Sequence, residues 1–114
     1  MKATHSKFTL AEKLAVVNVI YATIHADEVV HQGEITYLGK LMKTMDFDSN
    51  FILQARNMEM DQSMVLLRDM TFEKRRLLAE ILENVALSDG FIHTKEKELL
   101  HTIFSSLGVL KKAR

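Results

Sequence analysis

Six side chains that can bind a metal ion lie in two short segments of the chain, at matching positions. In each segment Asp, His and Glu follow one another at spacings of four and three residues. Neutral imidazole nitrogens and carboxylate oxygens suit zinc, manganese or nickel better than calcium. The pattern therefore predicts one or two sites for a divalent cation, with these candidate ligands: Asp27, His31, Glu34, Asp89, His93 and Glu96.

The same residues also have a purely structural explanation. Gly90 can adopt the left-handed conformation that ends a helix, and Asp89 can accept hydrogen bonds from loop amides. Glu96 stands three residues after His93, where its carboxylate can accept a hydrogen bond from the backbone amide at the start of the next helix. The spacing leaves both interpretations open, because it lacks the specificity of a paired-cysteine zinc motif.

A calcium loop of the EF-hand type does not fit the second segment. When Gly90 is placed at position 6 of such a loop, positions 1 and 3 fall on Val85 and Leu87. Neither of these side chains carries an oxygen ligand, so calcium binding by this motif is excluded.

Catalysis has little support in the sequence. The chain contains no nucleophile elbow, no helical His-Glu-x-x-His pattern and no glycine-rich phosphate loop. We therefore expect a non-enzymatic protein. The enzymatic alternative is a carboxylate-based hydrolase whose pocket is lined by Asp27, Asp89, Glu34 or Glu96.

Composition argues against several classes of partner and location. The chain has 15 basic and 15 acidic residues and no net charge, which argues against nucleic-acid binding, because that function usually depends on a basic surface. It has no cysteine, which excludes disulfides and thiolate metal sites. No signal-peptide core or run of about 18 apolar residues is present. We expect a cytoplasmic protein without direct membrane insertion and with a protein as partner.

The two candidate loops belong to a longer internal repeat. An offset of 62 residues relates them, and the same offset pairs Thr9 with Thr71 and Leu38 with Leu100. Such a register is typical of a duplicated helix-loop-helix unit. The expected organisation is one domain over residues 1–114, with repeat 1 at about 9–47, connecting helices at about 48–70 and repeat 2 at about 71–109.

Apolar periodicity predicts an all-α bundle of six to seven helices built from these two pairs. Thr9 and Glu12 form a capping-box pattern at the first helix, which is apolar nearly all round and should be surrounded by the others. Thr71 should open the fifth helix. The sixth should start near Thr94 and end at Gly108.

The boundaries between these helices are less clearly marked. The second helix is predicted to end near Asp46. Asp48 or Ser49 can cap the third helix, and Asp61 or Ser63 the fourth. Six of the seven methionines lie in this middle region of the chain. They fit either flexible filling of the core or an adaptable groove for a partner helix.

The second loop and its flanking helices resemble the tellurite-resistance TerB-like family. The pattern reads Ala-Leu-Ser-Asp-Gly-Phe-Ile-His-Thr-Lys-Glu over residues 86–96, followed by a helix that ends in Leu-Gly at 107–108. With both repeats the resemblance covers roughly residues 10–109. It implies an all-α fold of about seven helices and a bacterial stress-associated module, often found in larger chains, in which acidic loop residues are candidate metal ligands.

The chain departs from the family pattern in both loops. The glycine of the first loop is replaced by Glu28, and the helix-opening position that is often Ser is His31 in one loop and His93 in the other. The histidines add imidazole ligands to a cation site, whereas the loss of the glycine weakens the likeness of the first loop.

Overall fold

Six α-helices make up the described part of the chain, and no β-strand occurs in it. The computed structural model describes residues 8–26, 32–88, 90 and 92–109. The all-α class predicted from sequence is confirmed. The helices are α1 (Leu10–Ile24), α2 (Gln32–Thr44), α3 (Ser49–Arg56), α4 (Met60–Arg68), α5 (Phe72–Leu87) and α6 (Thr94–Leu107).

Helix α1 lies at the centre of the bundle. It packs against α3, α4, α5 and α6, and eight of its residues are buried, including Asn18 and Thr23. A helix with neighbours on nearly every side must be apolar nearly all round. The prediction that the first helix is surrounded by the others is therefore confirmed.

One polar contact crosses the core between α1 and α4. The side-chain amide of Asn18 donates a hydrogen bond of 2.5 Å to the hydroxyl of Ser63, and both residues are buried. The prediction that Asp61 or Ser63 caps the fourth helix is wrong. Helix α4 starts at Met60 after the N-cap residue Glu59, so both predicted caps lie inside the helix.

Most of the other predicted helix ends are confirmed. The hydroxyl of Thr9 accepts from the Glu12 amide, and the Glu12 carboxylate accepts from the Thr9 amide. Asp48 and Thr71 accept from the amides three residues later. Gly108 ends α6 with a φ of 71°. These caps stabilise the helices by roughly 1 kcal/mol each.

The end of α2 differs slightly from the prediction. The helix ends at Thr44, two residues before Asp46. Asp46 has a φ of 60°, which is left-handed backbone that most side chains avoid and that aspartate tolerates. The carbonyl of Asp46 accepts a hydrogen bond of 2.7 Å from Lys13, so this turn is tied to α1.

The offset of 62 residues recurs in the tertiary contacts. Lys13 donates to the Asp46 carbonyl after α2, and Arg75 donates to the Leu107 carbonyl at the end of α6, each at 2.7 Å. In both cases a cation from the first turns of one helix neutralises the negative end of the next helix in the pair. The two donors, the fourth residues of α1 and α5, are 62 positions apart, whereas the two acceptors are 61 positions apart, so the contacts are similar but one residue out of register.

A third contact joins two residues that occupy equivalent positions in the two repeats. The Lys74 ammonium lies 2.8 Å from the Glu12 carboxylate, and these residues are 62 positions apart. Burial raises the pKa of Glu12, but the hydrogen bonds from Lys74 and Thr9 and the charge of Lys74 outweigh it. The pKa of Glu12 is consequently held below its ordinary value of 4.5.

The Glu12–Lys74 pair should make stability depend on pH in a defined direction. A carboxyl group whose pKa is lowered by folding stabilises the protein above its unfolded pKa and loses that effect as the pH falls through its folded pKa. We expect Glu12→Gln to reduce the free energy of unfolding at neutral pH, and the difference from the parent protein to shrink as the pH falls below 4.5. Urea unfolding at several pH values measures this difference.

The control for this prediction is Glu73→Gln. It removes an exposed carboxylate from the residue next to Lys74, in the first turn of α5. It should change the pH profile much less than Glu12→Gln. If Glu12→Gln and the parent protein differ by the same free energy of unfolding from neutral to acid pH, the lowered pKa assigned to Glu12 is contradicted.

Candidate metal site at the starts of α2 and α6

Glu96 is buried in the first turn of α6. Its Oε1 accepts a hydrogen bond of 3.3 Å from the backbone amide of His93, the residue before the helix. The capping bond predicted from the spacing is therefore confirmed. Its Oε2, however, is buried without a hydrogen-bond partner among the described residues. Helix capping accounts for one oxygen of this carboxylate and leaves the other unexplained.

Glu34 occupies the equivalent place in α2. It is the third residue of the helix, as Glu96 is the third residue of α6, and both have an exposed fraction of 0%. Carboxylates are rarely buried in this way unless they are paired, hydrogen-bonded or bound to a metal, because the loss of hydration costs several kcal/mol. Each of the two helices that follow a candidate loop thus starts with a buried acid.

The start of α2 lies beside the end of α5. A cleft of about 480 Å³ separates them, with Gly33 and Tyr37 on one side and Leu87 and Ser88 on the other. Gly33 follows the first candidate loop and Ser88 precedes the second. The sequence alone left open whether the two loops are neighbours; the structure brings these described flanks together at one edge of the bundle.

Three of the six candidate ligands, Asp27, His31 and Asp89, lie outside the described residues. The other three are Glu34, Glu96 and the partly buried His93. Among the residues that the structure describes, no three His, Asp or Glu side chains are close enough to hold a metal ion together. A cation bound by either buried carboxylate would therefore require further ligands from the loops.

Four polar residues of the cleft were not singled out from the sequence: Thr36, Tyr37, Lys40 and Asn84. The first three lie on α2 and the fourth on α5, and nothing in their local spacing marks them. Only the packing of α2 against α5 brings them to one surface.

The second loop closes as predicted at Gly90. Its φ is 104°, and its amide donates to the carbonyl of Leu87 at 2.9 Å. Residues with a side chain rarely adopt this conformation. Ile92 packs partly buried against the core, which positions the chain for the start of α6.

The fold and these two helix starts define an all-helical module with a buried acid at the beginning of two equivalent helices. None of its helices, within the part of the chain that the structure describes, has the length and apolar character needed to cross a membrane. The chain belongs to the family described as Tellurite resistance protein TerB, whose sequence profile matches residues 13–114. The resemblance seen in the second loop is thereby confirmed.

A solved structure has the same fold. It is the crystal structure of a protein of unknown function from Porphyromonas gingivalis W83, with a TM-score of 0.77 and 22% sequence identity. The similarity covers 92% of this chain and 88% of that one. No curated protein matches the chain at a significant level. At this identity the solved structure supports the fold alone.

Proposed function

We propose that the chain is a non-enzymatic, tellurite-resistance-associated module of the cytoplasm that binds a divalent cation and thereby alters its contact with a protein partner. The observation that carries this proposal is the buried Glu96 carboxylate, whose Oε2 lacks a hydrogen-bond partner among the described residues. A cation would satisfy that oxygen and offset the cost of burying the charge.

Both segments of the repeat would contribute to the site. The proposed ligand set is Asp27, His31 and Glu34 from residues 9–47, and Asp89, His93 and Glu96 from residues 71–109. The start of α2 lies beside the end of α5, and this proximity of the two described loop flanks supports a shared site, although none of the described candidate ligands lines the cleft between them. Imidazole and carboxylate ligands favour zinc, manganese or nickel over calcium.

The residues around the cleft support a non-enzymatic role. Those lining it in the described part of the chain include Thr36, Tyr37, Lys40 and Asn84, and none is a carboxylate or an imidazole. A hydrolase that works by two carboxylates needs both groups to face its substrate. The buried carboxylates of Glu34 and Glu96 do not line this cleft, so its described lining residues include no acid–base pair.

The second candidate function is a protein-binding domain whose loops serve only to cap helices. The hydrogen bond from the His93 amide to Glu96 favours this alternative, because a capping role uses the same carboxylate. The two functions differ in one respect, which is whether a cation stabilises the folded protein.

Thermal unfolding of chelator-treated protein with zinc, manganese, nickel, magnesium or calcium tests the proposal. A cation that binds only the folded state adds about 1.4 kcal/mol at ten times its dissociation constant, which raises the midpoint of a domain of this size by several degrees. We expect the rise with zinc, manganese or nickel. Glu96→Gln should abolish it, because glutamine keeps the shape and the capping oxygen but lacks the charge.

Glu98→Gln is the matched control. It removes an exposed carboxylate from the same helix, two residues from Glu96, and should leave the cation effect intact. An unchanged melting temperature with every cation would contradict metal binding and leave the capping function. If Glu96→Gln and Glu98→Gln reduce the cation-induced rise in melting temperature equally, the cation binds to the protein surface rather than at a specific site.

A further inference from the structure

An apolar groove runs between α4 and α6, and none of the described candidate metal ligands lines it. Its volume is about 320 Å³. Two buried side chains, Met64 and Ile103, form part of its surface, and Leu99 is partly buried in it. This α4–α6 groove is lined by Met60, Asp61, Met64, Val65, Arg68, Leu99, Thr102, Ile103 and Ser106.

The groove leaves apolar surface exposed to water. Val65 is 57% exposed although it is a large aliphatic residue. Met60 is partly buried beside it and Met64 lies below. Met45 and Met70 are buried in the core, so some methionines of the cluster fill the interior. Met60 and Met64 instead line a surface, where a flexible thioether can adapt to an incoming side chain.

Opposite charges stand at the two ends of α4 where it borders the groove. Asp61 is in its first turn and Arg68 is its last residue, about 10 Å apart along the axis. The Arg68 guanidinium donates to the hydroxyl of Ser106 on α6 at 2.8 Å, which holds it across the end of the groove. That bond uses one of five N–H donors, so others remain to bind a carboxylate.

We propose that the α4–α6 groove binds an amphipathic helix of a partner protein, antiparallel to α4. The partner helix carries an acidic residue at position i facing Arg68, apolar residues at i+3 and i+4 over Met64, and a basic residue at i+7 facing Asp61. Positions i and i+7 lie on one face and have the same separation as Asp61 and Arg68. The antiparallel direction also puts the acid toward the partner's own N-terminus, where the helix dipole favours it.

Charge and size both favour this occupant. The groove has one acidic residue, Asp61, and one basic residue, Arg68, beside an apolar strip. This arrangement suits a peptide that carries both positive and negative charges, whereas a nucleic acid would need a row of basic residues. The volume lies at the lower limit of small-molecule sites, and fits side chains that project from a helix. This inference does not depend on the proposed cation site, and its test is carried out in chelator so that the two are separate.

The probe is a synthetic alanine-rich helix of about 15 residues with Glu at i, Leu at i+3 and i+4, and Lys at i+7. A second probe has Gln in place of both Glu and Lys, so that it can form neither ion pair in either direction of binding. Fluorescence anisotropy with N-terminally labelled peptides measures binding to the full chain. We expect the first probe to bind about five-fold tighter, because the second lacks both ion pairs.

Variants of the groove test the arrangement directly. Arg68→Glu should abolish the preference, because the first probe then makes one attractive and one repulsive pair. Val65→Asp should weaken binding about ten-fold, since it puts an unpaired charge under the leucines. Leu53→Asp is the matched control, because Leu53 is 54% exposed on α3, outside the groove. Thermal melts verify that each variant is folded.

Several results would overturn the proposal. The first is the absence of saturable binding of either probe at millimolar concentration. The second is a preference that Arg68→Glu leaves unchanged, and the third is equal weakening by Val65→Asp and Leu53→Asp. Sedimentation that shows a dimer disrupted by Val65→Asp, together with no binding of the probes, would assign the groove to a second copy of the chain instead.

Discussion

Ile20→Ala is expected to lower the free energy of unfolding by about 2–5 kcal/mol, the largest effect of any single change considered for this protein. Ile20 is fully buried near the middle of α1, and four other helices pack around α1. A cavity at this place can collapse only if several helices move together. Urea unfolding followed by circular dichroism measures the loss.

The control for Ile20→Ala lies on the same helix. Leu10 is 68% exposed, so Leu10→Ala removes a side chain of equal size without leaving a cavity. Its effect should stay within about 0.5 kcal/mol. Similar losses from the two substitutions would show that α1 is not the centre of the bundle in solution.

The second large effect should come from the hydrogen bond between Asn18 and Ser63. Asn18→Leu removes the donor to the buried Ser63 hydroxyl, which keeps only its weak contact of 4.0 Å with the sulfur of Met58, and should cost about 1–3 kcal/mol. Ser63→Ala should cost a similar amount, because the Asn18 amide then loses its partner. The double variant replaces both polar groups by apolar ones of similar shape and should recover most of the loss.

A double-mutant cycle by urea unfolding measures this recovery. The double variant should be more stable than the sum of the two single losses predicts, by about 1 kcal/mol or more. Additive losses would mean that each side chain has another partner and that the bond across the core is unimportant. The bond links α1 to α4, so its removal should also loosen the side of the bundle that carries the α4–α6 groove.

Helix ends were predictable where a cap acts over three or four residues. Thr9, Asp48, Thr71 and Gly108 were identified from their own neighbours, and the structure confirms each of them. The start of α4 was not predictable in this way. Ser63 is a residue type that often caps helices, but here it lies inside α4 and its hydroxyl accepts a hydrogen bond from Asn18. Its partner Asn18 is 45 residues away, and no local pattern reveals a contact at that separation.

The candidate site was predictable in its residues but not in its environment. The repeat identified Glu34 and Glu96 as equivalent, yet their complete burial follows from how α2 and α6 join the bundle. The capping bond of Glu96 could be predicted from a spacing of three residues. The burial of its Oε2 without a hydrogen-bond partner among the described residues could not. Exposure depends on tertiary packing, which a single sequence encodes only indirectly.

The contact between Glu12 and Lys74 has a consequence for how such a chain can arise. A position that touches its own counterpart behaves like a residue on the axis of a symmetric dimer, where both sides must be identical. Two copies of the first segment would bring two carboxylates together there, and two copies of the second would bring two ammonium groups together. When both segments are encoded in one chain, the two sides are free to differ, and this difference turns a repulsion into an ion pair.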